Sequence, residues 1–143
     1  PAFSPHVPAA MLHLFFQQIA SIAIHAPSLQ IVPQFEQIRL AAKSARLTGY
    51  LAYLVEKRFA RRIATITPAD ARGCQLSLVV TDPALDAKSV FRALEERNVT
   101  ADWREPNVIR VAPVPLYNSF EDVFEFSERL DEALRECAGR ETQ

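Results

Sequence analysis

The sequence of 143 residues predicts an α+β fold: a largely antiparallel sheet in the order β-β-α-β-β-α, helices on one face, and a long helix ahead of it. Three observations carry this expectation. Four short runs with strand patterning fall into two pairs joined by short turns, which favours antiparallel pairing. Apolar residues at three- and four-residue spacing mark helices before, between and after those pairs. The chain has only three glycines and no Gly-rich loop to cradle phosphates, which removes a doubly wound nucleotide-binding fold.

Pro1 to Pro8, with three prolines, reads as an extended lead-in, and Ala9 to His25 as a helix carrying Met11, Phe15, Ile19 and Ile22. A second, long helix starts near Pro33, because proline is tolerated in a first turn, and runs to about Phe59. Its apolar stripe is Phe35, Ile38 and Ala42, then Leu47, Leu51 and Leu54. Gly49 costs that helix about 1 kcal/mol relative to alanine, which points to close packing there.

Ile63 to Thr67 reads as a short strand stopped by Pro68, and Cys74 to Val80 as a strand ended by Thr81-Asp82-Pro83. Asp86 caps a helix from Ala87 to Arg97 with Ala87, Val90, Phe91 and Leu94 inward. Val99 to Trp103 and Val108 to Val111 form two strands joined at Glu105-Pro106-Asn107. The last helix, Ser119 to about Cys137, has Ser119 as N-cap and Asp122 as an acidic variant of the capping box.

Almost half of the residues, 49%, are hydrophobic and the formal charge is −1, the balance of a folded single domain. A near-neutral chain gives no electrostatic case for nucleic acid or a membrane surface. The apolar run Val7 to Ile24 is interrupted by His13, Gln17, Gln18 and Ser21 and lacks a basic lead, so neither a membrane span nor a secretory signal is expected. Cys74 and Cys137 have no ligand spacing and read as buried thiols of a cytoplasmic protein.

Little of the usual chemistry is present. His6, His13 and His25 have no neighbours at metal-ligand spacing, and no serine sits in a GxSxG context. Lys43, Lys57 and Lys88 each fall on a helix and read as solvated charges. Arg110 differs, because it interrupts the apolar run Val108-Ile109-Arg110-Val111, and prolines at 106, 113 and 115 stiffen the backbone around it. Two readings stay open: a strand arginine facing water or pairing with Asp102, and a fork that binds a carboxylate through two parallel hydrogen bonds. Arg104 reads as a structural partner of Asp102 or Glu105, Tyr117 as a packed tyrosine, with a ligand-facing one as the alternative, and Trp103 as core.

The run Asp102-Trp103-Arg104-Glu105-Pro106, with Ile109 to Phe120 (IRVAPVPLYNSF) and Asp122, resembles the C-terminal signature of the kynureninases. Arg72 to Leu78 (RGCQLSL) is similar to the preceding strand of that family. Lys43-Ser44 with Leu47 to Leu51 and Tyr53-Leu54 resembles its long interdomain helix. The likeness runs in order from about Phe35 to Cys137, so it divides the chain into an atypical segment, 1–34, and a C-terminal small domain, 35–143.

The resemblance implies a pyridoxal-phosphate hydrolase of the aspartate-aminotransferase fold type. Such enzymes cleave L-kynurenine, or its 3-hydroxy form, to an anthranilate and L-alanine, as cytoplasmic homodimers. It also implies that Arg110 holds the substrate α-carboxylate. The larger domain of the family, with its Schiff-base lysine and the aspartate that pairs with the pyridine nitrogen, has no counterpart in these residues. Phe15 to Ile19 (FFQQI) stands where the family's Ser-Asn-Pro-Pro segment is expected. The chain alone is therefore expected to be inactive and to bind no cofactor. The alternative is a non-catalytic α+β interaction or dimerisation module.

Overall fold

The computed structural model describes residues 34–140. The expected N-terminal lead-in, the first helix and all three histidines lie outside them. The chain divides into two compact units, Pro1–Arg39 and Leu40–Gln143. Of the first, only the opening turns of a long helix are described.

That helix, α1, spans Gln34–Phe59. It is followed by β1 (Ile63–Thr65), a 3-10 turn at Ala69–Ala71, β2 (Leu76–Val80), α2 (Ala87–Glu96), β3 (Asp102–Arg104), β4 (Val108–Val111) and α3 (Phe120–Arg140). The sheet has the order β1-β2-β4-β3 and every neighbouring pair is antiparallel. The α+β expectation and the β-β-α-β-β-α order therefore hold. The link from β2 through α2 to β3 skips over β4, which leaves β4 in the interior of the sheet.

Alternation along the strands sorts the two faces. Ile63, Leu76, Leu78, Val80, Ile109 and Val111 are buried and meet the helices in one core. From α1 that core takes Leu47, Leu51, Leu54, Val55 and Phe59, from α2 Val90 and Leu94, and from α3 Leu130 and Leu134. Ala64, Ser77, Val79, Val108, Arg110 and Asp102 point the other way and are only half-buried.

Local signals account for the helix ends. Asp86 Oδ2 accepts from Ser89 N at 2.8 Å, capping α2 as expected. At its far end Val99 N donates to Leu94 O and Asn98 N to Glu95 O, with Asn98 at a φ of 57°. This is a Schellman ending, and asparagine is one of the few side chains that takes the left-handed position readily. At α3, Asp122 Oδ2 accepts from Ser119 N at 2.6 Å while Asp122 N donates to Ser119 Oγ at 3.2 Å, so the acidic capping box forms.

Arginines stitch the helices together where local signals stop. Arg58 Nη1 donates to Ser127 Oγ at 2.8 Å, and Arg62 Nη2 to Leu134 O at 2.7 Å, joining the end of α1 and the turn after it to α3. Arg97 joins α2 to α3 through Glu136 at 2.6 Å and Glu132 at 3.3 Å.

Several expectations are corrected. Ala42 and Ile38 are exposed, so the buried stripe of α1 begins at Leu47 instead. A Cβ built on Gly49 meets nothing within 4 Å, so close packing does not explain that glycine. Cys74 is exposed, because β2 starts at Leu76 and the alternation before it falls on a loop; only Cys137 is buried. The third strand starts at Asp102 and not at Val99, whose N–H is taken by the Schellman ending of α2. The first strand stops at Thr65, although Ile66 N still donates to Ser77 O at 2.9 Å.

Candidate functional site

Arg110 lies in β4 between two strands, registered opposite Ser77 of β2 and Asp102 of β3. Its neighbours Ile109 and Val111 fill the core, so the period of two sends Arg110 to the opposite face of the strand. Its side chain keeps 30% of its exposure, enough to reach a ligand and too little to swing freely.

Asp102 takes one edge of the guanidinium. Its Oδ2 accepts from Arg110 Nε at 2.6 Å and from Arg110 Nη2, and also from Arg104 Nε at 3.1 Å. The hydrogen bonds from Arg110, supported by the charge of Arg104, hold the Asp102 carboxyl below its usual value despite some desolvation. Of the two readings of Arg110, the pairing with Asp102 is therefore present. It does not exclude the other, because Nη1 has no hydrogen-bond partner among the described residues.

A cavity of about 660 Å³ opens beside the pair, lined by Arg110, Asp102, Asn98, Tyr117, Asn118 and Arg129 among others. Its lip is the loop after β4, which is held firmly. Val114 N donates to Asn118 Oδ1 at 2.9 Å, and Asn118 N returns to Val114 O at 2.8 Å. Lys43 Nζ of α1 donates to Pro115 O at 2.7 Å, and the Ser119–Asp122 capping box closes the far end. Backbone and side-chain bonds from Ser119 depress the Asp122 carboxyl.

On this fixed loop Tyr117 is 80% exposed, which corrects the expectation that it packs. The prolines and the Asn118 turn hold the loop without needing the ring. Trp103 is half-buried, not core: its ring stands 5.7 Å from Phe91 and its Nε1 donates to Glu105 Oε1 at 2.9 Å. Arg104 pairs with Asp102 as expected.

The lysines are not all solvated charges. Lys43 is the clamp on Pro115, and Lys88 contacts Glu105 at 3.2 Å above the Trp103 ring. Lys57 is exposed beside Glu56. The Lys43 contact joins residues 72 apart in the chain, and no local pattern in the sequence signals it. A second, smaller cavity of about 370 Å³ adjoins β1 and is lined by Glu56, Thr67 and Arg72; Arg72 Nε is buried there and has no hydrogen-bond partner among the described residues.

Among the described residues no group of three or more His, Cys, Asp or Glu side chains could hold a metal ion. None of the described helices is long and apolar enough to cross a membrane. What the Arg110 arrangement can do is bind and orient an anion in plane. Among the described residues of the cavity lining, no nucleophile is paired with a base.

The family model of the kynureninase C-terminal domain matches residues 40–130. A kynureninase of Xanthomonas oryzae pv. oryzae (strain PXO99A) is 41% identical over 128 residues, covering 88% of this chain and 30% of that protein. A kynureninase of Xanthomonas euvesicatoria pv. vesicatoria (strain 85-10) is 39% identical over 133 residues, covering 92% of this chain and 31% of that protein. The chain thus spans about 30% of the length of the curated relatives it matches.

Proposed function

Because this chain belongs to the kynureninase family and corresponds to its C-terminal part, we propose that it supplies the carboxylate-holding residue, Arg110, to a kynurenine-hydrolysing enzyme. The substrate is L-kynurenine or 3-hydroxykynurenine, and the products are the corresponding anthranilate and L-alanine, a step of tryptophan catabolism. The complete protein works as a cytoplasmic homodimer, with residues 35–143 as its small domain and 1–34 as a separate segment. Family membership disfavours the alternative of a stand-alone interaction module.

One observation carries the role of Arg110. It is a half-buried arginine on an interior strand, fixed on one edge, open at Nη1 and set beside a cavity of about 660 Å³. A guanidinium in that setting binds a carboxylate through two parallel charge-assisted bonds, which fix both distance and plane. Holding the substrate by its carboxylate lowers the entropic cost of bringing its reacting bond into line.

Kynureninases use pyridoxal phosphate, which when bound supplies the electron sink for the substrate carbanion. The lysines described here do not fit that group. Lys43 is spent on Pro115 O, Lys88 on Glu105 and Trp103, and Lys57 lies exposed beside Glu56. In this reading the chain contributes substrate binding and orientation, and the Schiff-base lysine comes from elsewhere in the complete enzyme.

The test is Arg110→Lys in the complete polypeptide. One ammonium cannot reproduce the fork, so kcat/KM for kynurenine should fall on the order of a hundredfold. An unchanged kcat/KM would remove Arg110 from the site.

A further inference from the structure

The geometry points to Asp102 as a positioning residue that holds the side edge of Arg110, so that the end edge, Nη1 with the outer hydrogen of Nη2, receives the ligand carboxylate. This rests on the carboxylate-holding role of Arg110 proposed above.

A guanidinium carries five N–H donors in one rigid plane. Two of them, one on Nε and one on Nη2, converge on the single oxygen Oδ2 of Asp102. That contact uses the whole side edge. Three remain: the two parallel N–H bonds at the end of the group, one on Nη2 and one on Nη1, and the second hydrogen of Nη1, which meets no partner among the described residues. The two parallel donors match the spacing of a second carboxylate.

The pairing is built into the sheet. Asp102 and Arg110 are direct cross-strand partners of β3 and β4, on the same face and at the same level. The Schellman ending at Asn98 holds the approach to β3, so the carboxylate is presented by fixed backbone. Both side chains line the larger cavity.

Charge supports the same conclusion. Arg104 Nε also donates to Asp102 Oδ2, so two guanidinium groups share one carboxylate. Asp102 and the two guanidinium groups together keep one net positive charge, while Asp122, Glu125 and Arg129 also line the cavity, so the attraction for an anion is local to the end edge of Arg110. A rival reading of the same contact exists: Asp102 occupies the fork and competes with the ligand. The two readings predict opposite signs.

The experiment has two parts. In the complete kynureninase that carries this segment, Asp102→Asn should raise KM for kynurenine roughly ten- to hundredfold, the worth of a lost charge-assisted bond, and change kcat much less. Asp102→Glu, which keeps the charge, should recover part of that loss. A lowered KM would make Asp102 a competitor and overturn the proposal. An unchanged KM in Asp102→Asn, alongside a raised KM in Arg110→Met, would overturn the positioning role alone. An unchanged KM in Arg110→Met would overturn the role of Arg110 and this inference with it.

The second part needs no substitution. The arginine side-chain ¹⁵N resonances of the complete kynureninase that carries this segment are followed during titration with L-alanine. Shifts at the Nη groups of Arg110 with Nε unmoved are expected. A shift at Nε, meaning that the ligand displaces Asp102, or no shift at any Arg110 nitrogen, would overturn end-edge binding.

Discussion

Ile109 and Arg110 are adjacent in β4, yet they face two different environments. Ile109 is 2% exposed and packs with Leu76, Leu78 and the helices. Arg110 points to the opposite face of the strand, beside the cavity, and keeps 30% of its side-chain exposure. The helix-covered face is dense and apolar and is shared by α1, α2, α3, β1, β2 and β4, with Trp103 of β3 packed against it. The other face offers half-buried valine, alanine and serine around one arginine with an anchored edge. Stability is invested on the first face, and the capacity to recognise an anion is left on the second. An antiparallel sheet can separate the two, because alternate residues of one strand answer to different constraints.

The sharpest way to break this comparison is to truncate both neighbours. Ile109→Ala should cost about 2–5 kcal/mol of unfolding free energy, from lost burial plus the cavity left behind. Arg110→Met should change stability by no more than about 1 kcal/mol, since its partner Asp102 is itself solvent-accessible. Urea unfolding of the two variants reads both values. A loss at Arg110 equal to that at Ile109 would mean that the open face carries the fold as well.

A smaller effect of opposite sign is expected on α1. Gly49 sits in the middle of the helix with open space where a Cβ would stand. Gly49→Ala should therefore raise stability by about 0.5–1 kcal/mol, because alanine loses less conformational freedom on folding. A destabilised variant in the same urea series would show that another chain segment comes close to this turn.

The smallest effect concerns acid. The native values of Asp102 and Asp122 are both depressed below the ordinary 3.8, chiefly by bonds from Arg110 and from Ser119 respectively. A group of this kind contributes fully above its unfolded-state value, and the contribution is lost as pH falls through the lower native one. Thermal stability should be insensitive to these two groups between about pH 5 and 7 and should decline below about pH 4. In Asp102→Asn that acid decline should be shallower. Parallel melting curves across the range check this, and an identical slope would show that the Arg110 contact adds nothing to the folded state.

The sequence by itself determined what short-range physics decides. The caps at Asp86 and Ser119–Asp122 form as read, because each pairs groups only three residues apart. The strand alternation, the long helix ending at Phe59 and the order of elements follow from the periodicity of apolar residues. The kynureninase likeness was legible in contiguous runs such as Arg110 to Phe120. Even the partner of Arg110 could be named, since Asp102 lies across a short hairpin.

Only the tertiary structure decided the rest. That Arg110 stands on an interior strand depends on the crossing from β2 through α2 to β3, which local patterning does not specify. That Lys43 reaches Pro115 and Arg62 reaches Leu134 depends on contacts 72 residues apart. Cys74 and Tyr117 looked like residues to bury and stand exposed, because burial depends on what lies opposite a side chain. Apolar character sets the preference of a residue for the interior, but the layout of the distant chain determines whether there is an interior at that point to receive it.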